Sequence, residues 1–195
     1  MCCQVIEFLD SYDAEQNTIT ELAKDDCRND DSWCRCELFA YDYDKFIQNF
    51  CNQLNIKSFA SVDALVKHNN WINLIEFKNS DCRNKDTRSK TKRKLADTIH
   101  LIEKCILNEF VISQSNLKYR FILVFNPGDE STEFNNGYES LNRQINRLGG
   151  LDSPSKERLR GVVDYCNTLR LCHDIKILTV DEFLTSINEY VPCQE

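Results

Sequence analysis

The sequence predicts an α/β layered domain with a mixed β-sheet flanked by helices, on three observations. Helical and strand periods alternate from residue 34 onward, in the order helix, strand, strand, helix, strand, helix, helix, strand, helix. Two β-rich runs flank His68-Asn69-Asn70, which reads as a hairpin turn because Asn tolerates positive φ. Strand–helix–strand segments further along favour parallel crossovers. A chain of 195 residues, 42% hydrophobic and 28% charged, suits one such domain with a real core.

The elements follow from local pattern. Residues 1–33 read as an N-terminal extension, partly helical, with short helices at "CCQVIEFLDS" and "TITELAK" and an acidic loop at "DDCRNDDSW". Residues 34–195 read as a single domain. From Cys34 to Leu54, apolar residues at Cys36, Phe39, Tyr43, Ile47, Phe50 and Leu54 recur at helical steps, which predicts a helix. The hairpin occupies "IKSFASVDALVKHNNWINLIEFKN". "SDCRNKDTRSKTKRK" reads as a basic loop, and the stripe Leu95, Ile99, Ile102, Ile106 predicts a helix from Lys92. "YRFILVFN" has the unbroken apolar run of a strand buried on both faces. A helix around Tyr138–Leu148 is closed by Gly149-Gly150. Ser153-Pro154 opens another, running to about Leu171. "DIKILTV" is a strand, and Thr179 with Glu182 forms a capping box for the last helix.

Charge and cysteine content bound the function. The net charge is −7, and residues 1–60 account for all of it, with 12 acids and 5 bases. The remainder is balanced, which argues against a strong non-specific nucleic-acid binder but leaves room for one basic patch. No apolar run approaches a membrane span, and the first residues lack a basic leader, so the expected location is cytoplasmic. The eleven cysteines are expected as reduced thiols in that compartment. The alternatives are a zinc site on Cys27, Cys34 and Cys36, whose spacing lacks the paired two-residue gap of zinc ribbons, and a disulfide framework.

One strand carries more charge than its core role requires. "WINLIEFKNSD" begins apolar and then places Glu76 and Lys78 two residues apart, on one face. With a two-residue turn at Asn69-Asn70, opposite residues have numbers summing to 139, which sets Asp63 across from Glu76. Facing carboxylates destabilise a sheet. A divalent cation between them removes that cost, and Mg²⁺ is held in this way by one or two carboxylates and substrate phosphates. A neighbouring lysine then orients the attacking water and stabilises phosphate charge, a set of parts suited to phosphodiester hydrolysis. The competing reading is a salt bridge from Glu76 to Lys78 or Lys67 at a solvated strand end.

"SVDALV" followed after a hairpin by "IEFKN" resembles the PD-(D/E)XK nuclease superfamily, the restriction-endonuclease-like fold, over roughly residues 35–125. The helix "KRKLADTIHLIEKCI" and the strand "FILVFN" are similar to a bacterial branch with an EFKN strand. The resemblance implies a metal-dependent nuclease acting on DNA or RNA with Mg²⁺ or Mn²⁺. It implies Asp63 and Glu76 as metal ligands, the Phe77 carbonyl as a third, and Lys78 as the residue that positions water. It further implies an acid from the first helix, for which Glu37 is the best candidate, with Asp42 and Asp44 behind it. Val62 stands where the motif often has proline. The basic run supplies candidate nucleic-acid contacts at Lys90, Lys92, Arg93 and Lys94. The alternative function is a non-catalytic nuclease-fold binding or immunity-type protein that engages a partner through its acidic first 60 residues. A homodimer or protein partner is an expectation from the superfamily, and a membrane partner is not expected.

Overall fold

The unbroken apolar runs of the strands and the amphipathic helices between them assemble into a six-stranded mixed sheet with helices on both faces. A computed structural model describes residues 4–24, 33–79, 85–103, 118–126 and 154–192. Its elements are α1 (Gln4–Ser11), β1 (Gln16–Thr18), α2 (Ile19–Leu22), β2 (Phe39–Asp42), α3 (Tyr43–Gln53), β3 (Ala64–His68), β4 (Trp71–Lys78), α4 (Lys85–Leu101), β5 (Lys118–Phe125), α5 (Pro154–Leu169), β6 (Asp174–Thr179) and α6 (Val180–Thr185). A 3₁₀ turn at Ile187–Glu189 follows.

The strands lie in sequence order. β1 to β4 pair antiparallel, and β4, β5 and β6 pair parallel. The β3–β4 register is as expected: His68 faces Trp71 and Ala64 faces Ile75, around an Asn69 held at φ 53°. The two faces have separate cores. On one, Ile72, Leu74, Phe121 and Leu123 pack against Phe8 of α1, Ile47 of α3, Leu95 of α4 and Val162 of α5. On the other, Val66, Ile75, Phe77 and Ile122 pack against Ile19, Phe183 and Tyr190. Thus β1 and α1 share the sheet and the core of the later elements. Among the described residues, no helix is long and apolar enough to cross a membrane.

Two element boundaries differ from expectation. The single helix over Cys34–Leu54 is instead β2 followed by α3. Asp42 caps α3, its carboxylate accepting from the Lys45 N–H at 3.0 Å, so the helix starts only at Tyr43. The basic segment is not a loop as far as Lys92, because α4 already begins at Lys85. Lys and Arg are good helix formers, and the packed Thr91–Leu95–Thr98 side carries the helix through the charged run. The expected α5, β6 and the Thr179–Glu182 capping box all form. The helix at Tyr138–Leu148, Ile106 of the α4 stripe, Cys27 and Cys105 lie outside the described residues.

Candidate functional site

The hairpin register builds the site. Continuing the β3–β4 pairing by one residue past Ala64–Ile75 brings Asp63 opposite Glu76. Asp63 is fixed on two sides. Its carbonyl accepts from the Tyr43 N–H at the start of α3, 3.2 Å away, and its Oδ2 accepts from the Phe77 N–H at 2.7 Å. That second bond shows which way Phe77 faces. The Lys78 carbonyl accepts from Asn126, on the β5 side. Alternation along the strand therefore turns the Phe77 amide and carbonyl toward Asp63.

Glu76 points from the sheet face that α4 covers, and its side chain is fully buried. Lys78 ion-pairs with it from the same strand. A fourth member comes from α4. Lys94 Nζ lies 2.7 Å from Asp63 Oδ1 and 3.2 Å from the Glu76 carboxylate. The helix is pinned there by Thr98, whose hydroxyl accepts from the buried Val62 N–H at 3.1 Å. Lys94 lies one turn before Thr98, over the two acids. The side chains of Asp63, Lys78 and Lys94 retain 21%, 21% and 23% exposure, so the cluster is partly open to solvent.

Electrostatics follow from this burial. Desolvation first, and then the Asp63 charge, push the Glu76 carboxyl up to about 7, against the opposing pull of Lys78 and Lys94. Burial alone would lower Lys94, but Glu76 and Asp63 outweigh it and hold the ammonium above the usual lysine range. The cluster sits at the carboxyl ends of the parallel strands β4 and β5, where open α/β sheets bind ligands.

The other expected residues divide. Glu37 is exposed and lies two residues before β2, next to Cys36, whose carbonyl accepts from the Thr20 N–H. It stands outside the helix on which it was expected, because that helix starts only at Tyr43. Asp42 is occupied capping α3 and bonding Asn17, and Asp44 accepts from Ser61 and Gln48. Lys90 is exposed one turn before Lys94. Lys92 lies over the Tyr165 ring of α5, 5.4 Å from its centroid, and Arg93 points out toward Asp97 at 3.8 Å. Lys94 was expected to meet nucleic acid and instead holds the acids.

Two carboxylates and a carbonyl aimed to one side are hard oxygen donors, and both carboxylates already converge on one cation, the Lys94 ammonium. The residues therefore fit Mg²⁺ or Mn²⁺. Among the described residues, no group of three or more His, Cys, Asp or Glu side chains is placed to hold a metal. Cys51, Cys166 and Cys172 are free thiols. Burial, aided by Cys36, pushes the Cys34 thiol up to about 12.

Lys94 left one signal in the sequence. It falls at a helical step between Thr91 and Thr98, on the edge of the buried stripe rather than on the solvent face. No family model matches this chain, and no curated protein and no solved structure matches it either.

Proposed function

We propose that the chain is a metal-dependent nuclease of the PD-(D/E)XK type that hydrolyses phosphodiester bonds of DNA or RNA. The observation that carries this reading is the convergence of Asp63 and Glu76 on one cation position, with Lys78 on the same strand face. The order α3, β3–β4 hairpin, α4 and parallel β5 supports the restriction-endonuclease-like form of the fold. One departure is that the strand pairing with β3 comes before α3 and not after it.

In this reading Asp63, Glu76 and the Phe77 carbonyl hold the metal. When bound, Mg²⁺ or Mn²⁺ supplies Lewis-acid activation of water and neutralises phosphate charge. Glu76 must be ionised to serve as a ligand, and Lys78 beside it favours that form. Lys78 also orients the water that attacks phosphorus. Lys90, exposed one turn before Lys94, contacts the phosphate backbone. The test is hydrolysis of DNA and RNA with Mg²⁺ or Mn²⁺. Lys78→Ala and Asp63→Ala are each expected to lower the rate by about 10²–10³-fold. Cleavage that survives both changes would sink the assignment.

A second reading draws on the charge count. Two carboxylates meet two ammonium groups, so with Glu76 ionised the cluster is neutral without a metal. This favours a nuclease-fold binding protein that engages a partner through the exposed acids Glu7, Asp10, Asp13, Glu15 and Glu21. Absence of hydrolysis and of Mn²⁺ binding, in a folded chain, would select it.

A further inference from the structure

Within the candidate site, one group plays a part that the nuclease reading does not use. Among the described residues, the Lys94 ammonium is the group that touches both acids, at 2.7 Å from Asp63 and 3.2 Å from Glu76. Of the two acids, Lys78 pairs with Glu76. A divalent ion shared by the two carboxylates needs the same space, and like charges exclude joint occupancy.

The surroundings allow Lys94 to leave. Its side chain is 23% exposed and sits on a flexible four-carbon stem. Lys90, one turn away, already extends into solvent. The helix need not move, because Thr98 ties it to Val62. Asp63 keeps the Phe77 N–H and Glu76 keeps Lys78 when Lys94 departs, so neither acid is stranded.

We infer that Lys94 is a resident counter-cation that closes the Asp63–Glu76 pair in the metal-free chain and must swing out before a divalent cation binds. This rests on the metal-site reading above. It makes metal entry a competition: the apparent affinity is the intrinsic one reduced by the fraction of molecules with Lys94 out. If about one molecule in a hundred is open, binding is weakened about 100-fold. Anything that draws the ammonium outward, such as an anionic phosphate beside the cluster, strengthens metal binding, and the linkage is reciprocal.

The experiment is Mn²⁺ titration by calorimetry of the full chain, as wild type, Lys94→Met and Lys78→Met. Lys94→Met is expected to bind at least tenfold tighter than wild type, and Lys78→Met to gain much less. A second arm uses only the wild-type chain, in case Lys94→Met folds poorly. Acetic anhydride labelling is followed by mass spectrometry, with exposed Lys57 as the internal reference. Mn²⁺ is expected to speed labelling of Lys94 several-fold relative to Lys57. Binding to wild type with Lys94 labelling unchanged or slowed overturns the inference and leaves the metal site standing. Equal gains in the two variants also overturn it, because net charge alone would then explain them. No Mn²⁺ binding to wild type or Lys94→Met at millimolar concentration removes the metal site and the inference together.

Discussion

Charged side chains gather at both ends of strand β4, from its neighbours β5 and β6 where it begins and from β4 itself where it ends, and the two ends solve the problem differently. Where β4 begins, Arg120 donates to Asp174 at 2.8 Å, and its guanidinium lies over Trp71 at 4.3 Å and Tyr190 at 5.5 Å. Lys118 adds a second cation over Trp71. Each charge there meets an opposite charge or a ring face, and Asp174 keeps 26% exposure. Where β4 ends, the register forces two like charges together, one of them fully buried, and a lysine must reach in from a helix to neutralise them. A buried ion pair alone is weak evidence of function. Like charges set side by side are better evidence, because packing gains nothing from them.

The comparison breaks if the two ends respond alike to substitution. The largest expected effect is on rate. Asp63→Ala or Lys78→Ala lowers hydrolysis by about 10²–10³-fold, whereas Arg120→Met leaves it within about twofold in folded protein. Stability should show the reverse. Arg120→Met leaves Asp174 only the longer contact to Lys176, at 3.6 Å, and removes the guanidinium from the Trp71 ring, and is expected to cost about 2 kcal/mol in urea unfolding. A loss in Arg120→Met below about 0.5 kcal/mol would remove the structural role given to this end.

The sequence made part of the cluster at the end of β4 legible and hid the rest. The Asp63–Glu76 pairing could be read because strand side chains alternate with period two and Asn69-Asn70 fixes the turn. Lys94 could not be placed, because its partners lie 31 and 18 residues away and meet it only when α4 crosses the sheet. Glu37 was misplaced for a local reason. Phe39 and Tyr43 mimic a helical step, yet Phe39–Asp42 pairs as a strand, since Thr18 and Leu65 offer it edges on both sides. Tertiary pairing overrode a weak local period. The sheet order was legible only as a class: strand–helix–strand segments implied parallel neighbours, but nothing local told β1 to join β2.

A smaller effect sharpens the electrostatic side of the comparison. The folded Glu76 carboxyl titrates near 7, above its ordinary 4.5, so the folded chain binds that proton more tightly than the unfolded one. Its stabilising contribution is full below about 4.5 and lost as pH rises through about 7. Metal-free wild type should therefore lose on the order of 1–2 kcal/mol relative to Glu76→Gln between pH 5 and pH 8, read from paired urea titrations. A constant difference across that range would show that burial does not raise Glu76. Arg120→Met should not change this pH dependence, because Arg120 lies at the far end of the strand.

The smallest expected effect joins the two ends, because the turn beside Trp71 sets the register that aligns Asp63 with Glu76. Asn69 sits at φ 53°, in the left-handed region where most side chains clash with the backbone. Asn69→Ala should cost about 1 kcal/mol, because alanine lacks the short amide that makes this conformation tolerable. Asn69→Gly removes the clash altogether, and its greater freedom in the unfolded chain offsets part of that gain, so it should stay within about 0.5 kcal/mol of wild type. Neither change alters the number of residues in the turn. The Asp63–Glu76 register should persist in both, with Mn²⁺ affinity unchanged. Loss of Mn²⁺ binding in Asn69→Ala, with the fold retained by circular dichroism, would mean that turn geometry as well as turn length holds the two acids together.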